Sequence, residues 1–287
     1  MSNVAASIRD KLLNMARQEG IQFQRILTLY KQEGLLHRVV LTEHGDSVVL
    51  KGGLLFYQHH GVFARPTKDI DLLGSDTGEH TKLLDEVLQT ASTVKIEDGL
   101  SFDADTISVA PIVGQTEHGG IRGNITVYLG SARTRLQVDM GFEDIITGGP
   151  VEQSYRTLLG NRSFSIRTYS DETVAAEKLE AVVSLGVVNS RYKDLYDLYS
   201  LLVEGGLPDD RVVQASKNTF EHRGTSIPEN PESLSVGHWQ SDGFTIEWSR
   251  FLKRIGTEFP GVSDLQETLL PRLRAIYTDV RNEMLGE

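Results

Sequence analysis

The sequence predicts an α+β protein in which a core with a mixed sheet is followed by a helical C-terminal domain. Three observations predict it. Residues 5 to 35 repeat apolar side chains at helical spacing. Residues 94 to 142 switch to short period-two runs separated by Gly, Asp and Pro. From residue 170 the helical period returns. The expected organisation is an N-terminal helical lead-in at 1–36, a core at 37–168 and a helical domain at 169–287.

Taken in order, Ile8, Leu12, Leu13, Met15, Ile21, Phe23, Ile26, Leu27 and Tyr30 give two helices broken near Gly20. "SVVLKGG" is a β-branched strand closing on a glycine pair, and "LLFYQHHG" is a helix stopping at Gly61. Strands follow in "TVKIEDG", "TISVAPI", "NITVYLG" and "RLQVDMGF". The last two form a hairpin turning at Gly130 and Ser131, with 136–140 expected opposite 125–129. "SFSIRTY" is a further strand, and Ser170 is placed to cap the helix "DETVAAEKLEAVVSLG", whose Asp171 and Glu172 complement the dipole. A second helix, "RYKDLYDLYSLLVEGG", ends at a glycine pair, and a Pro/Gly/Ser-rich stretch at 224–243 precedes two more helical runs.

The 287 residues are 39% hydrophobic and 24% charged, with charge spread along the chain, which suits a folded soluble protein rather than a disordered one. The absence of cysteine excludes disulfides and thiolate metal sites; it suits a reducing cytosol and equally any compartment where stability comes from packing alone. Arg9, Asp10, Lys11 and Arg17 interrupt every apolar run near the N-terminus, and no later run reaches about 18 apolar residues. A cytoplasmic protein with no membrane partner is expected. The formal charge of -11 argues against general affinity for nucleic acid. Arg156, Arg162 and Arg167, or Arg250, Lys253, Arg254, Arg272 and Arg274, could line a local basic groove or simply cover solvated faces.

The chemistry starts at "RPTKDIDLL". Side chains at i and i+2 of a strand share a face, so Asp69 and Asp71 stand together while Ile70 and Leu72 face away. Two carboxylates that close repel, and a hard divalent cation such as Mg²⁺ relieves the repulsion. Asp-x-Asp alone is also common on solvated edges. Asp139, on "LQVDMGF" between inward-facing Val138 and Met140, is the candidate third ligand. Lys51, Gly52 and Gly53 close a strand and open a helix, where free amides attract phosphate and glycine lets it approach, although the GK[ST] element of a Walker loop is missing. Lys178 sits among Val174, Leu179, Ala181 and Val182, while Arg191, Asp194 and Asp197 share a face with Leu198. Lys178 snorkelling and a Lys193–Asp197 pair are the ordinary alternatives. Three carboxylates holding two divalent ions form the clamp of nucleotidyl transfer, with Gly52 and Gly53 at the triphosphate and Lys51, Lys178 or Arg191 neutralising its charge.

The set "LKGG", "RPTKDIDLL", "LQVDMGF", "DETVAAEKLEAV" and "SRYKDLYDLYSLL", with "FEHRGTSIP" and "WSRFLKRI" beyond it, resembles the abortive-infection AbiEii/AbiGii nucleotidyltransferases. These are toxins of type IV toxin–antitoxin systems related to the MenT toxins. The resemblance implies a polymerase-β-like nucleotidyltransferase core and a helical C-terminal domain. It implies Mg²⁺ (or Mn²⁺) as cofactor, an NTP as substrate, a tRNA 3′ end as acceptor with translation blocked, and a cognate antitoxin encoded nearby. It maps metal ligands to Asp69, Asp71 and Asp139, the helix lysine to Lys178, and the later Arg and Asp to Arg191 and Asp194. Thr67 matches a position phosphorylated in some relatives, with a plain turn role as the alternative. The wider superfamily carries Gly-Ser where this chain has Gly52-Gly53.

Two rivals are a haloacid-dehalogenase-like phosphatase, which would need parallel βα units after the DxD, and a degenerate nucleotidyltransferase fold that only binds a partner. Asp69→Ala or Lys178→Ala is expected to abolish transfer and growth inhibition with the fold intact.

Overall fold

The computed structural model describes residues 2–60, 65–75, 78–112, 120–186 and 191–286. The chain divides into one unit of Met1–Glu143 and Pro150–Thr168 and a second of Asp144–Gly149 and Tyr169–Glu287.

The first unit begins with helices α1 (Ser2–Gln18) and α2 (Phe23–Val40). Strand β1 (Val48–Lys51), helix α3 (Gly53–His60), strand β2 (Asp69–Gly74) and helix α4 (His80–Thr93) follow. The remaining strands are β3 (Leu100–Pro111), β4 (Ile121–Leu129), β5 (Ala132–Gly141), β6 (Val151–Arg156) and β7 (Ser163–Thr168). They form one mixed sheet in the order β3-β4-β5-β2-β1-β7-β6. β2 runs parallel to β5 and β1 parallel to β7, and the other neighbours are antiparallel. The β1–β2 pair and the β3–β4–β5 meander are antiparallel where the phosphatase reading requires parallel βα units.

The alternation of the strands builds one apolar face. Leu50, Ile70, Leu72, Ile125, Leu136, Val138 and Met140 are all buried and belong to a single core with residues of α1, α2 and α4. Helices α2 and α4 pack against the sheet. α4 comes so near β4 that a methyl on Gly123 would meet Leu88 Cδ1 at 2.7 Å. The other face of β1, β2 and β5 carries Lys51, Asp69, Asp71, Gln137 and Asp139 beside the buried pair Val49 and Leu73.

α2 carries an unusual polar load into this core. Lys31, Gln32, Glu33 and Arg38 are all buried. The Lys31 ammonium donates to Ala132 O (2.7 Å) and Thr134 Oγ1 (2.8 Å), and Glu33 accepts from the Leu158 amide at 2.7 Å. Arg38 forks onto both oxygens of Asp98 at 2.6 and 2.9 Å. Desolvation pushes the Glu33 carboxyl up to about 8 and the Lys31 ammonium down to about 8. Each of these groups is satisfied by a bond that ties the helix to a strand or turn.

Several local expectations change. "TVKIEDG" is not a strand: residues 94–99 lead from α4 to β3, held by Arg38 on Asp98 and by Tyr30 Oη donating to Asp98 O at 2.8 Å. The hairpin does turn at Gly130 and Ser131, but Leu129 faces Ala132 and Ile121 faces Met140, so 136–140 pairs with 121–125. Leu83, Leu84, Val87, Leu88 and Ala91 form the buried stripe of α4, a helix that the reading of the sequence passed over. The expected helix stop at Gly61 lies outside the described residues.

The second unit is helical. It contains α5 (Asp171–Leu185), α6 (Tyr192–Leu198) with a π-helical continuation at Tyr199–Glu204, and α7 (Asp209–Arg223). The short α8 (Val236–Trp239), then α9 (Asp242–Ile255), α10 (Val262–Asp264) and α11 (Leu270–Leu285) complete it. Ser170 caps α5 by accepting from the Thr173 amide at 3.3 Å, as its position predicts. α5 packs against α6 and α7. Arg223 joins the unit through Asp144, Glu177 and Glu180 at 2.7 to 3.1 Å. Among the described residues no helix is long and apolar enough to cross a membrane.

Candidate active site

Adjacent strands place the three expected carboxylates together. β2 and β5 pair in parallel with Asp71 opposite Asp139 and Asp69 opposite Gln137. Ile70 and Val138 alternate into the core, so the three Asp side chains share the polar face, each half-buried. Asp69, Asp71 and Asp139 offer ligand oxygens that all lie within 4.8 Å of one another. Three ionised carboxylates at that spacing favour a cation between them, and an all-oxygen, partly exposed donor set fits Mg²⁺ or Mn²⁺.

A charged row crosses four strands at this point. The register sets Lys51 opposite Asp71, Asp71 opposite Asp139, and Asp139 opposite Arg122. Arg122 forks onto Asp139, with Nε donating to Oδ1 at 2.8 Å and Nη2 to Oδ2 at 2.7 Å, while Gln137 Nε2 adds a bond to Oδ2 at 3.1 Å. That hydrogen bond, opposed by some desolvation and helped by the fields of Asp139, Asp69 and Asp71, raises the Arg122 guanidinium above its ordinary value. The Asp69 backbone is fixed from beneath, where Gln32 Nε2 donates to its carbonyl at 3.3 Å.

The glycine pair is required by close approach. Gly52 has φ +70, and a methyl built on it would stand 2.0 Å from Asp71 Oδ2. A methyl on Gly53 would meet Thr67 Cβ and Oγ1, both at 2.6 Å. The Thr67 hydroxyl in turn donates to Asp69 Oδ1 at 3.0 Å. A side chain at residue 53 and the Thr67 side chain therefore compete for one space, which explains the departure from Gly-Ser.

In the second unit Lys178 on α5 reaches two carboxylates of α6, Asp194 Oδ1 at 3.0 Å and Asp197 Oδ2 at 2.6 Å. Arg191 Nη1 meets Asp194 Oδ2 at 3.2 Å. Burial works to raise the Asp194 carboxyl, but Lys178, Lys193 and Arg191 outweigh it and hold the group below its ordinary value. Asp197 is thus an ion-pair partner of Lys178, on the helix beside it, where spacing alone pointed to Lys193. Lys51, Gly52, Gly53 and the three Asp residues belong to one unit; Lys178, Arg191 and Asp194 gather in the other.

Arg122, Gln137 and Gln32 are the site residues that the sequence reading missed. Arg122 had a signal: once the hairpin turns at 130–131, counting outward sets 122 opposite 139. Of the suggested basic groove, Arg162 donates to Glu97 O at 2.5 Å, Arg167 to Asp46 O, and Arg272 to Leu202 O and Leu207 O, so these three brace the backbone.

Similar proteins can be set beside this geometry. The JHP933 protein of Helicobacter pylori has a crystal structure with 15% sequence identity and a TM-score of 0.49, covering 91% of this chain and 95% of that one. A second crystal structure, of a "putative nucleotidyltransferase from H. pylori", has 16% identity and a TM-score of 0.48, covering 90% and 96%. None of the curated proteins matches the chain in sequence. Residues 34–278, most of the chain, match the family described as nucleotidyl transferase AbiEii toxin, type IV toxin–antitoxin system, and the chain belongs to that family.

Proposed function

We propose that the chain is a Mg²⁺-dependent nucleotidyltransferase toxin that moves a nucleotide from an NTP to RNA, with the 3′ end of tRNA as acceptor, and so inhibits translation and growth. The observation that carries the reading is the convergence of Asp69, Asp71 and Asp139 at a glycine turn after β1, within a family of nucleotidyltransferases. Asp69, Asp71 and Asp139 would hold the divalent ions, which when bound lower the pKa of an attacking hydroxyl and offset charge on the leaving pyrophosphate.

The chain's own residues supply position. Gly52 and Gly53 form the turn between β1 and α3 at which the triphosphate would lie, and Lys51, at the end of the charged row, would neutralise its charge. Lys178, Arg191 and Asp194 are assigned to the same reaction, Lys178 and Arg191 toward phosphate charge and Asp194 as the acid that orients both. Family membership supports an antitoxin encoded nearby as the partner.

The test incubates purified protein with Mg²⁺, each labelled NTP in turn and total tRNA, beside Asp69→Ala. Label should enter RNA with one NTP and vanish in the variant. Label on a protein, or NTP hydrolysis with RNA unlabelled, would overturn the acceptor; transfer undiminished in Asp69→Ala would overturn the site.

A further inference from the structure

Arg162, Arg167 and Arg272 brace the backbone, but another basic surface begins at the three-Asp site itself. Along β5, Gln137, Arg135 and Arg133 precede Asp139 at every second residue, so they share its face. Their partners on β4 are Asn124, Thr126 and Tyr128, in the same order. At about 3.3 Å per residue the strip runs roughly 20 Å from Asp139 to Arg133, beside the hairpin turn.

The strip is flat and cationic. Arg133 and Arg135 are exposed, and Tyr128 is half-buried. Arg135 Nη2 donates to Ser108 Oγ at 3.0 Å; Ser108 is on β3, so the arginine crosses β4 and lies along the sheet beside the buried Thr126. Among the described residues no ion pair engages Arg133 and no hydrogen bond engages the Tyr128 hydroxyl. Asp103 on β3, opposite Thr126, marks the outer limit of the strip, because it repels phosphate. From the core side Lys31 holds the hairpin by Ala132 O and Thr134 Oγ1, which keeps the surface rigid.

Aromatic rings and guanidinium planes on an open sheet face stack unpaired bases, about two or three on a platform of this kind, and free arginines take the phosphates between them. We propose that this face of β4 and β5 seats the single-stranded 3′ end of the acceptor RNA. Tyr128 and the Arg135 guanidinium stack its bases, Arg133 meets a phosphate, and the terminal hydroxyl reaches the three carboxylates. This rests on the reading of the chain as a nucleotidyltransferase acting on RNA. A paired end keeps its bases stacked on one another, so the surface selects an unpaired one.

The experiment follows the anisotropy of a 5′-fluorescein RNA hairpin carrying an unpaired 3′ tail, and of the same hairpin with a blunt end, in Mg²⁺ without NTP. Wild type should bind the tailed RNA more tightly. Tyr128→Ala should weaken the tailed RNA about tenfold, while Tyr128→Phe, which keeps the ring, should match wild type. Arg133→Ala should lower the salt slope of binding by about 0.7. In transfer assays with total tRNA, Tyr128→Ala should raise the KM for tRNA and leave the KM for the NTP unchanged.

If wild type labels RNA but tailed and blunt RNA bind alike, or Tyr128→Ala and Arg133→Ala bind the tailed RNA as wild type does, this surface is overturned and the proposed function stands. A fall in kcat with an unchanged KM for tRNA also overturns it, because Tyr128 would then act through the fold. If wild type neither binds nor labels RNA, the acceptor reading fails and this inference with it. Urea midpoints are read beside each titration, and Arg133→Ala, at an exposed side chain, decides the matter should Tyr128→Ala lose its fold.

Discussion

A methyl group on Gly52 would stand 2.0 Å from Asp71 Oδ2, so the turn that ends β1 and the carboxylate on β2 share one space. Glycine at 52 is what lets the Asp71 carboxylate lie directly against the turn. Gly52→Ala also has to hold φ +70, a conformation that costs a residue with a side chain about 1 kcal/mol or more. It should therefore lose modest stability and nearly all transfer, because Asp71 must move. Unfolding midpoint and RNA labelling measured on the same preparation check this; full transfer in folded Gly52→Ala would contradict the geometry.

Lys178 presents a different balance. It is the ion-pair partner of Asp194 and Asp197, which are 3% and 0% exposed. Removing one member of a buried ionic network leaves uncompensated charge and costs about 3 kcal/mol or more. Lys178→Ala is therefore expected to lower the unfolding midpoint, contrary to the sequence-based expectation that it leaves the fold intact. Asp69→Ala removes one of three mutually repelling carboxylates and should leave stability unchanged or slightly raised. Urea unfolding of the two variants side by side separates these cases.

Glu33 gives the stability a pH dependence. Desolvation is the main cause of its rise from 4.5 to about 8, opposed by the Leu158 amide and helped by Asp98. The folded chain keeps the proton up to about pH 8, where the unfolded chain releases it above 4.5, so this contribution to stability falls across that window and is flat above it. Lys31, lowered to about 8 from 10.5 by desolvation, adds stability as pH rises between those two values. Glu33→Gln can still accept from the Leu158 amide and should gain stability over wild type at pH 8 but little at pH 4.5. Urea midpoints at the two pH values check it, and an equal change at both would remove the titration from the account.

The carboxylate site was legible because period-two alternation fixes which side chains share a face. Asp69, Asp71 and Asp139 could be read from Ile70, Val138 and Met140 facing the core. The strand that became a turn at 94–99 was not legible, because its fate is decided by Arg38, some sixty residues earlier, reaching Asp98. Lys51 opposite Asp71 depends on which strands become neighbours, and spacing along one chain does not state that. Arg122 opposite Asp139 was within reach of the hairpin count, and was missed because the expected antiparallel register, 136–140 against 125–129, is displaced by four residues from the observed 136–140 against 121–125. Buried Lys31 and Glu33 sit in a helix that a helical period describes correctly, yet their burial follows from the strands that satisfy them.

The Gly53–Thr67 contact yields a test of coupling. A methyl on Gly53 would overlap Thr67 Cβ at 2.6 Å, and Thr67 is held in place by its bond to Asp69 Oδ1. Gly53→Ala should cost about 1 to 3 kcal/mol by overpacking. Thr67→Ala leaves the offending Cβ, so the relieving change is Thr67→Gly. In that background Gly53→Ala should cost at least about 1 kcal/mol less, a coupling expected only of residues in contact. The four proteins of the cycle are compared by urea unfolding. Additive costs would mean that Gly53 is glycine for another reason, and the competition between a side chain at 53 and Thr67 would no longer account for the missing serine.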